Sequence, residues 1–131
     1  MDILPDLRVA YPAGMNDPIT LWHNPRCSKS REALALLRAQ GVEPDLRDYQ
    51  RTPPTVAELE GVLASLGLEP LQLIRTDETV WSDIGGDPSM LDRVALIEAM
   101  VAHPVLIQRP LALRGNRAVL GRPPERVLDL L

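Results

Sequence analysis

Any chemistry this chain performs starts at one sulfur. Cys27 is its only cysteine, and it sits in the polar run His23-Asn24-Pro25-Arg26-Cys27-Ser28-Lys29-Ser30-Arg31. A lone cysteine is ordinarily an inert core residue, but here the neighbours are Pro, Arg, Ser, Lys and Ser rather than core formers. Ile19-Thr20-Leu21-Trp22 before the run is β-prone, and Ala33, Leu34, Leu36 and Leu37 after it recur at helical spacing. The order strand, loop, helix puts Cys27 where a helix begins. Outward-pointing N–H groups at such a terminus attract anions. They also favour thiolate over thiol, lowering a cysteine pKa into roughly the 3.5–7.5 range. Arg26, Lys29 and Arg31 add to that field wherever they turn inward. An ionised sulfur beside an anion cradle can attack an electron-poor oxyanion centre.

The elements that must position this loop are legible in outline. The first helix spans Arg31 to Gln40 and stops at Gly41. A second extended piece covers Asp45 to Tyr49. Thr55 and Glu58 form a capping box ahead of Leu59, Val62, Leu63 and Leu66, and Gly67 ends that helix. A short helix follows over Leu71 to Arg75. A longer one starts near Asp87-Pro88-Ser89, carries Met90, Val94, Ile97 and Val101 on one face, and stops at His103-Pro104. Val105 to Ile107 reads as extended. Leu111 to Leu113 and Arg117 to Leu120 flank a Gly115-Asn116 hairpin turn. Pro123-Pro124-Glu125 opens a last helix with Val127, Leu128 and Leu131 as its apolar side. The pattern predicts an α/β protein with a mixed central sheet flanked by helices. Residues 1–17 show no sustained period and read as an extension, partly disordered or docked as an arm, with Met15 as an alternative start. The single domain runs from 18 to 131.

Composition narrows the function classes. The chain has 131 residues, which suits one domain, and only 3% aromatics with no Phe, so its core must be Leu, Val, Ile and Ala. The net charge of −4 and the lack of a basic stretch argue against nucleic-acid binding. No run of about 18 apolar residues exists to span a membrane, and the N-terminus lacks the apolar core of a secretory signal. One cysteine forms no internal disulfide, so a reducing cytoplasm is the expected setting. Two distant histidines and one cysteine do not supply metal-ligand spacing, and no metal is expected.

His23-Asn24-Pro25-x-Cys27-x-x-Ser30-Arg31 resembles the active-site motif of the arsenate reductases that use glutathione and glutaredoxin. Similar matches follow in order: Tyr49-x-x-Thr52-Pro53-Pro54-Thr55, Leu73-Ile74-Arg75, His103-Pro104-Val105-Leu106-Ile107-x-Arg109-Pro110, and Gly121-Arg122-Pro123-Pro124-Glu125. The resemblance implies a thioredoxin-like fold, with its core in 18–53 and 104–131 and a helical insertion over 54–103. It implies Cys27 as the catalytic nucleophile and Arg75, Arg109 and Arg122 as the arginines that bind the oxyanion. Pro110 matches the proline that usually takes the cis form in this fold. His23, Asn24, Ser30 and Arg31 match residues that support the cysteine, though His23 also reads as a purely structural loop residue. Arg26 departs from members with a small residue there.

The activity implied is reduction of arsenate through a covalent adduct on Cys27, with glutathione as co-substrate, glutaredoxin as partner and no bound cofactor. With no second cysteine, the chain needs an external thiol to resolve that adduct. Two other readings stand beside it. One is a general thiol oxidoreductase acting on mixed disulfides or another small substrate. The other is an RNA polymerase-binding redox regulator of the same superfamily, which Cys27-Ser28-Lys29-Ser30 disfavours because the second cysteine of a Cys-x-x-Cys switch is missing.

Overall fold

The computed structural model describes residues 17–87, 89 and 92–131. Residues 1–16 of the expected extension, and Pro88 and Met90 of the expected long helix, lie outside the described residues. Strand β1 (Ile19–Trp22) leads into helix α1 (Ser28–Ala39), which returns to β2 (Asp45–Arg47). Helices α2 (Val56–Leu66), α3 (Pro70–Leu73), α4 (Thr79–Asp83) and α5 (Arg93–Ala102) follow. A 3-10 turn (Pro104–Leu106), the hairpin β3 (Leu111–Arg114) and β4 (Arg117–Leu120), and a final 3-10 helix (Pro124–Leu130) complete the chain. The sheet order is β2-β1-β3-β4. β1 pairs parallel with β2, Leu21 opposite Leu46, and antiparallel with β3, Leu21 opposite Ala112. The sheet is mixed, as the sequence pattern predicts.

Because side chains alternate across a strand, β1 serves two cores. Ile19 and Leu21 pack with Ala33 and Leu37 of α1 and with Val127 and Leu130 of the final helix. Trp22 points to the opposite face, among Leu59, Leu63, Leu73, Ile97, Met100 and Leu111. The helices between 56 and 102 therefore cover one face, while α1 and the C-terminal segment cover the other. Among the described residues, no helix is long and apolar enough to cross a membrane.

Local chemistry explains both the agreements and the departures. The capping box forms as predicted: Glu58 N–H donates to Thr55 Oγ1 and Thr55 N–H to Glu58 Oε1, each at 3.1 Å. α1 begins three residues earlier than its apolar period because Ser28, Lys29 and Ser30 form a polar first turn. The short helix covers Pro70–Leu73 and leaves Arg75 outside it, since Pro70 sets the first turn and Ile74 is already extended. α5 begins later than expected. Asp92 caps it by accepting the Ala95 N–H at 2.8 Å, whereas Asp87 closes a local turn with Ser89.

The predicted face of α5 is also wrong in part. Leu96, Ile97 and Met100 are buried, while Val94 is 62% exposed. The segment is apolar nearly all round, so its period did not choose a face. Val105 to Ile107 is not a strand: Pro104 starts a 3-10 turn, and Ile107 makes one bridge to Ile74. The last helix is 3-10 rather than α. Its three-residue period buries Pro124, Val127 and Leu130 and leaves Leu131 exposed, contrary to expectation. α4 is too short to show a period in the sequence; it carries the buried Trp81.

Candidate active site

β1 delivers the chain to the site and α1 receives it. His23 extends the parallel pairing by donating its N–H to the Arg47 carbonyl at 2.7 Å. Asn24 then folds the loop: its Oδ1 accepts the Arg26 N–H at 3.0 Å and its carbonyl accepts the Cys27 N–H at 2.9 Å. One helical turn on, Arg31 donates Nη1–H to the Pro25 carbonyl at 2.9 Å. The loop is thus tied to both the strand and the helix. Cys27, in extended conformation (φ −94°, ψ 123°), is the N-cap of α1 and is half-buried.

The opposite wall arrives on the segment before β3. The bridge between Ile74 and Ile107 is held by Arg75 N–H to the Leu106 carbonyl (2.6 Å) and Gln108 N–H to the Leu73 carbonyl (2.8 Å). The Arg109–Pro110 peptide is cis, the form the resemblance implies, and Arg122–Pro123 is cis as well. Gly121 donates its N–H to the Pro110 carbonyl at 2.9 Å. A Cβ at Gly121 would stand 2.6 Å from Pro110 Cγ, so the approach leaves no room for a side chain. Beside it, Arg122 donates Nε–H to the Arg109 carbonyl at 2.9 Å.

These pieces set the electrostatics of the sulfur. Partial burial pushes the Cys27 thiol up. The Ser30 N–H, the Arg109 guanidinium and the Lys29 N–H outweigh that effect and bring the pKa down to about 7. Roughly half of the sulfur is then ionised at neutral pH. Arg109 responds in kind: burial opposes its charge, while Cys27 and Tyr49 strengthen it. Burial also raises the Tyr49 hydroxyl, with Arg109 opposing, so the phenol stays protonated and remains a donor.

The donors around the sulfur are under-used. Arg109 Nε and Nη1, the Tyr49 hydroxyl and Ser30 Oγ are buried without a directed hydrogen bond among the described residues. Buried polar groups are nearly always paired, so an unpaired set calls for a partner. A tetrahedral oxyanion suits a planar guanidinium with free N–H groups. A thiolate, a helix N-terminus and such donors together can hold an oxyanion for attack by sulfur.

The remaining expected residues divide. Arg122 lies against Arg109 through the bond above. Arg75 is brought to the same segment by its backbone, but its guanidinium is engaged elsewhere. Nη1 lies 2.6 Å from Glu78 Oε1 and Nη2 3.9 Å from Asp77 Oδ2. The first contact is an ion pair that falls short of a directed hydrogen bond. No hydrogen bond or ion pair links Arg75 to Cys27 among the described residues. His23 is buried, and its Nδ1 makes no hydrogen bond among the described residues; burial holds its pKa below the ordinary value, against the pull of Asp48. Tyr49 had no assigned role in the sequence. It stacks on Trp22, ring centroids 6.3 Å apart, and its hydroxyl lies near Arg109 and Gln50. Its motif was visible, but a single tyrosine among charged and polar neighbours at a strand end carries no signal of a role at a distant cysteine.

A family model described as the ArsC family matches residues 22–130. The arsenate reductase of Rhizobium meliloti is 44% identical over 114 residues, covering 86% of this chain and 81% of the relative. The uncharacterized protein YfgD of Escherichia coli is 42% identical over 118 residues, 89% of this chain and 99% of the relative. Among solved structures, the arsenate reductase from Vibrio cholerae superposes with a TM-score of 0.84 at 42% identity, covering 88% of this chain and 98% of that one. The thioredoxin-like fold that the motifs imply is the fold of these neighbours.

Proposed function

Because the chain belongs to the ArsC family, we propose that it reduces arsenate, with Cys27 as nucleophile and glutathione and glutaredoxin as the electron supply. The observation that carries this reading is the Arg109 guanidinium, which helps lower the Cys27 pKa while two of its buried nitrogens make no directed hydrogen bond among the described residues. Arsenate binds across those donors and the first turn of α1. The Cys27 thiolate attacks arsenic, an S–As bond forms, and an arsenate oxygen leaves as water after protonation. Glutathione sulfur then attacks the Cys27 sulfur. An S–S bond forms, the S–As electron pair stays on arsenic, and arsenite departs. Glutaredoxin reduces the mixed disulfide left on Cys27, and the thiolate returns.

Support for an external thiol comes from the sequence, since a chain with one cysteine has no internal resolving sulfur. Support for an oxyanion comes from the Arg109 guanidinium beside Cys27, with Arg122 bonded to the Arg109 backbone, and from the names of the relatives. The test is a coupled assay containing arsenate, glutathione and glutaredoxin. The parent turns over, Cys27→Ser does not, and thioredoxin in place of glutaredoxin gives little activity. Equal turnover with thioredoxin contradicts the glutaredoxin assignment. No turnover of arsenate, together with rapid reduction of a panel of mixed disulfides, establishes the general thiol oxidoreductase reading instead. That reading draws on the same partly exposed, ionised sulfur.

A further inference from the structure

The proposed reaction needs a second substrate, and the molecule has a place for one. A cleft of about 490 Å³ adjoins the Cys27 loop, with Asn24, Pro25 and Arg26 on one wall and Asp48, Gln50 and Arg51 on the other. Its volume falls in the roughly 300–1,000 Å³ range of small-ligand sites. The walls flank the chemistry on both sides. Arg26 immediately precedes Cys27, and Tyr49, whose hydroxyl lies near Arg109, stands between Asp48 and Gln50.

Among the described residues, the two arginines lining this cleft are uncommitted. Neither Arg26 nor Arg51 makes a side-chain hydrogen bond or ion pair with another described residue, in contrast to Arg38, Arg47, Arg75 and Arg93, which all pair with carboxylates. Asp48 uses Oδ1 to accept the Gln50 and Arg51 N–H groups at 3.2 and 3.3 Å. Its Oδ2 has no hydrogen bond among the described residues. The cleft thus offers two guanidiniums, one carboxylate oxygen and two side-chain amides.

We propose that this cleft is the subsite for the external thiol, and that Arg26, Arg51 and Asp48 are the residues that select glutathione by its two carboxylates and one ammonium group. The carboxylates go to Arg26 and Arg51, the ammonium to Asp48 Oδ2, and the ligand's sulfur is left at the Cys27 rim. A simple neutral thiol has nothing for these groups to hold. The inference rests on Cys27 being the nucleophile and adds which residues hold its thiol partner.

Thiol–disulfide exchange tests the subsite without arsenate. The Cys27 thiolate attacks one sulfur of a disulfide, a new S–S bond forms, the old one breaks, and one thiolate leaves. The rate of mixed-disulfide formation on Cys27 is followed by mass spectrometry of the full chain at pH 7. The probes are glutathione disulfide, neutral hydroxyethyl disulfide and N-acetylated glutathione disulfide. In the double variant Arg26→Glu/Arg51→Glu, the ratio of the glutathione rate to the hydroxyethyl rate falls roughly five- to tenfold, the scale of two exposed ion pairs. Asp48→Asn retains the Oδ1 acceptor and loses the parent's preference for glutathione disulfide over its N-acetylated form.

An unchanged ratio in the double variant overturns the subsite. So does an equal fall in Arg126→Glu, because that result means long-range attraction rather than a bound ligand. Absence of reaction with all three disulfides overturns the reading of Cys27 itself, an outcome distinct from unselective reaction.

Discussion

Arg122 donates its Nε–H to the Arg109 carbonyl at 2.9 Å, so one arginine fixes the backbone of the other beside the sulfur. A lysine at 122 keeps the charge but has no planar fork to make that bond in the same place. Arg122→Lys therefore weakens oxyanion binding by about three- to tenfold, the net worth of one hydrogen bond. The measurement is the arsenate concentration that protects Cys27 from alkylation.

Arg109 acts on the sulfur directly. Arg109→Ala removes one of the groups that hold the Cys27 pKa near 7, and the pKa moves up toward the ordinary thiol value of about 8.5. Thiolate absorbance at 240 nm across pH 5–10 reports the shift. Protection by arsenate is lost in the same variant, while its thermal midpoint changes little. A fall in stability as large as the fall in oxyanion binding identifies Arg109 as structural.

Tyr49→Phe separates packing from chemistry. The ring still stacks on Trp22, and the hydroxyl it removes makes no directed hydrogen bond among the described residues, so stability is unchanged or slightly higher. Oxyanion affinity falls several-fold if the phenol donates to the anion. Calorimetric titration with arsenate, beside a melting curve, distinguishes the two effects.

Much of this was legible in the residues. The sulfur's setting followed from a β-prone tetrapeptide, a polar loop and an apolar period, and the capping box of α2 followed from Thr55 and Glu58. The convergence on Cys27 was not legible from spacing. It depends on the Ile74–Ile107 bridge and on the close contact of Gly121 with Pro110, which join segments far apart in sequence. Nor did local pattern reveal that Glu78 and Asp77 hold the Arg75 guanidinium. Periodicity failed where it carried least information, in the nearly all-apolar α5 and in the three-residue period of the last helix.

Glu58 joins two local structures, because the carboxylate that closes the α2 capping box also pairs with Arg47. Arg47 in turn lies 5.1 Å from the centre of the Trp22 ring. Glu58→Gln keeps the cap acceptor and loses the charge, so the thermal midpoint at pH 7 drops modestly. The Arg47 pairing, against partial burial, holds the Glu58 pKa below the usual carboxylate range. Its contribution is therefore complete above the unfolded value of about 4.3 and disappears as pH falls through the lower folded value. The gap between parent and Glu58→Gln melting curves closes on acidification through that window.

Cys27 alkylation as a function of pH, with and without arsenate, tests the central claim most directly. The rate of iodoacetamide modification of the folded chain rises with a midpoint at about 7, and arsenate slows it at every pH. A sulfur that reacts only after unfolding, or that titrates near 8.5 and ignores arsenate, contradicts the account.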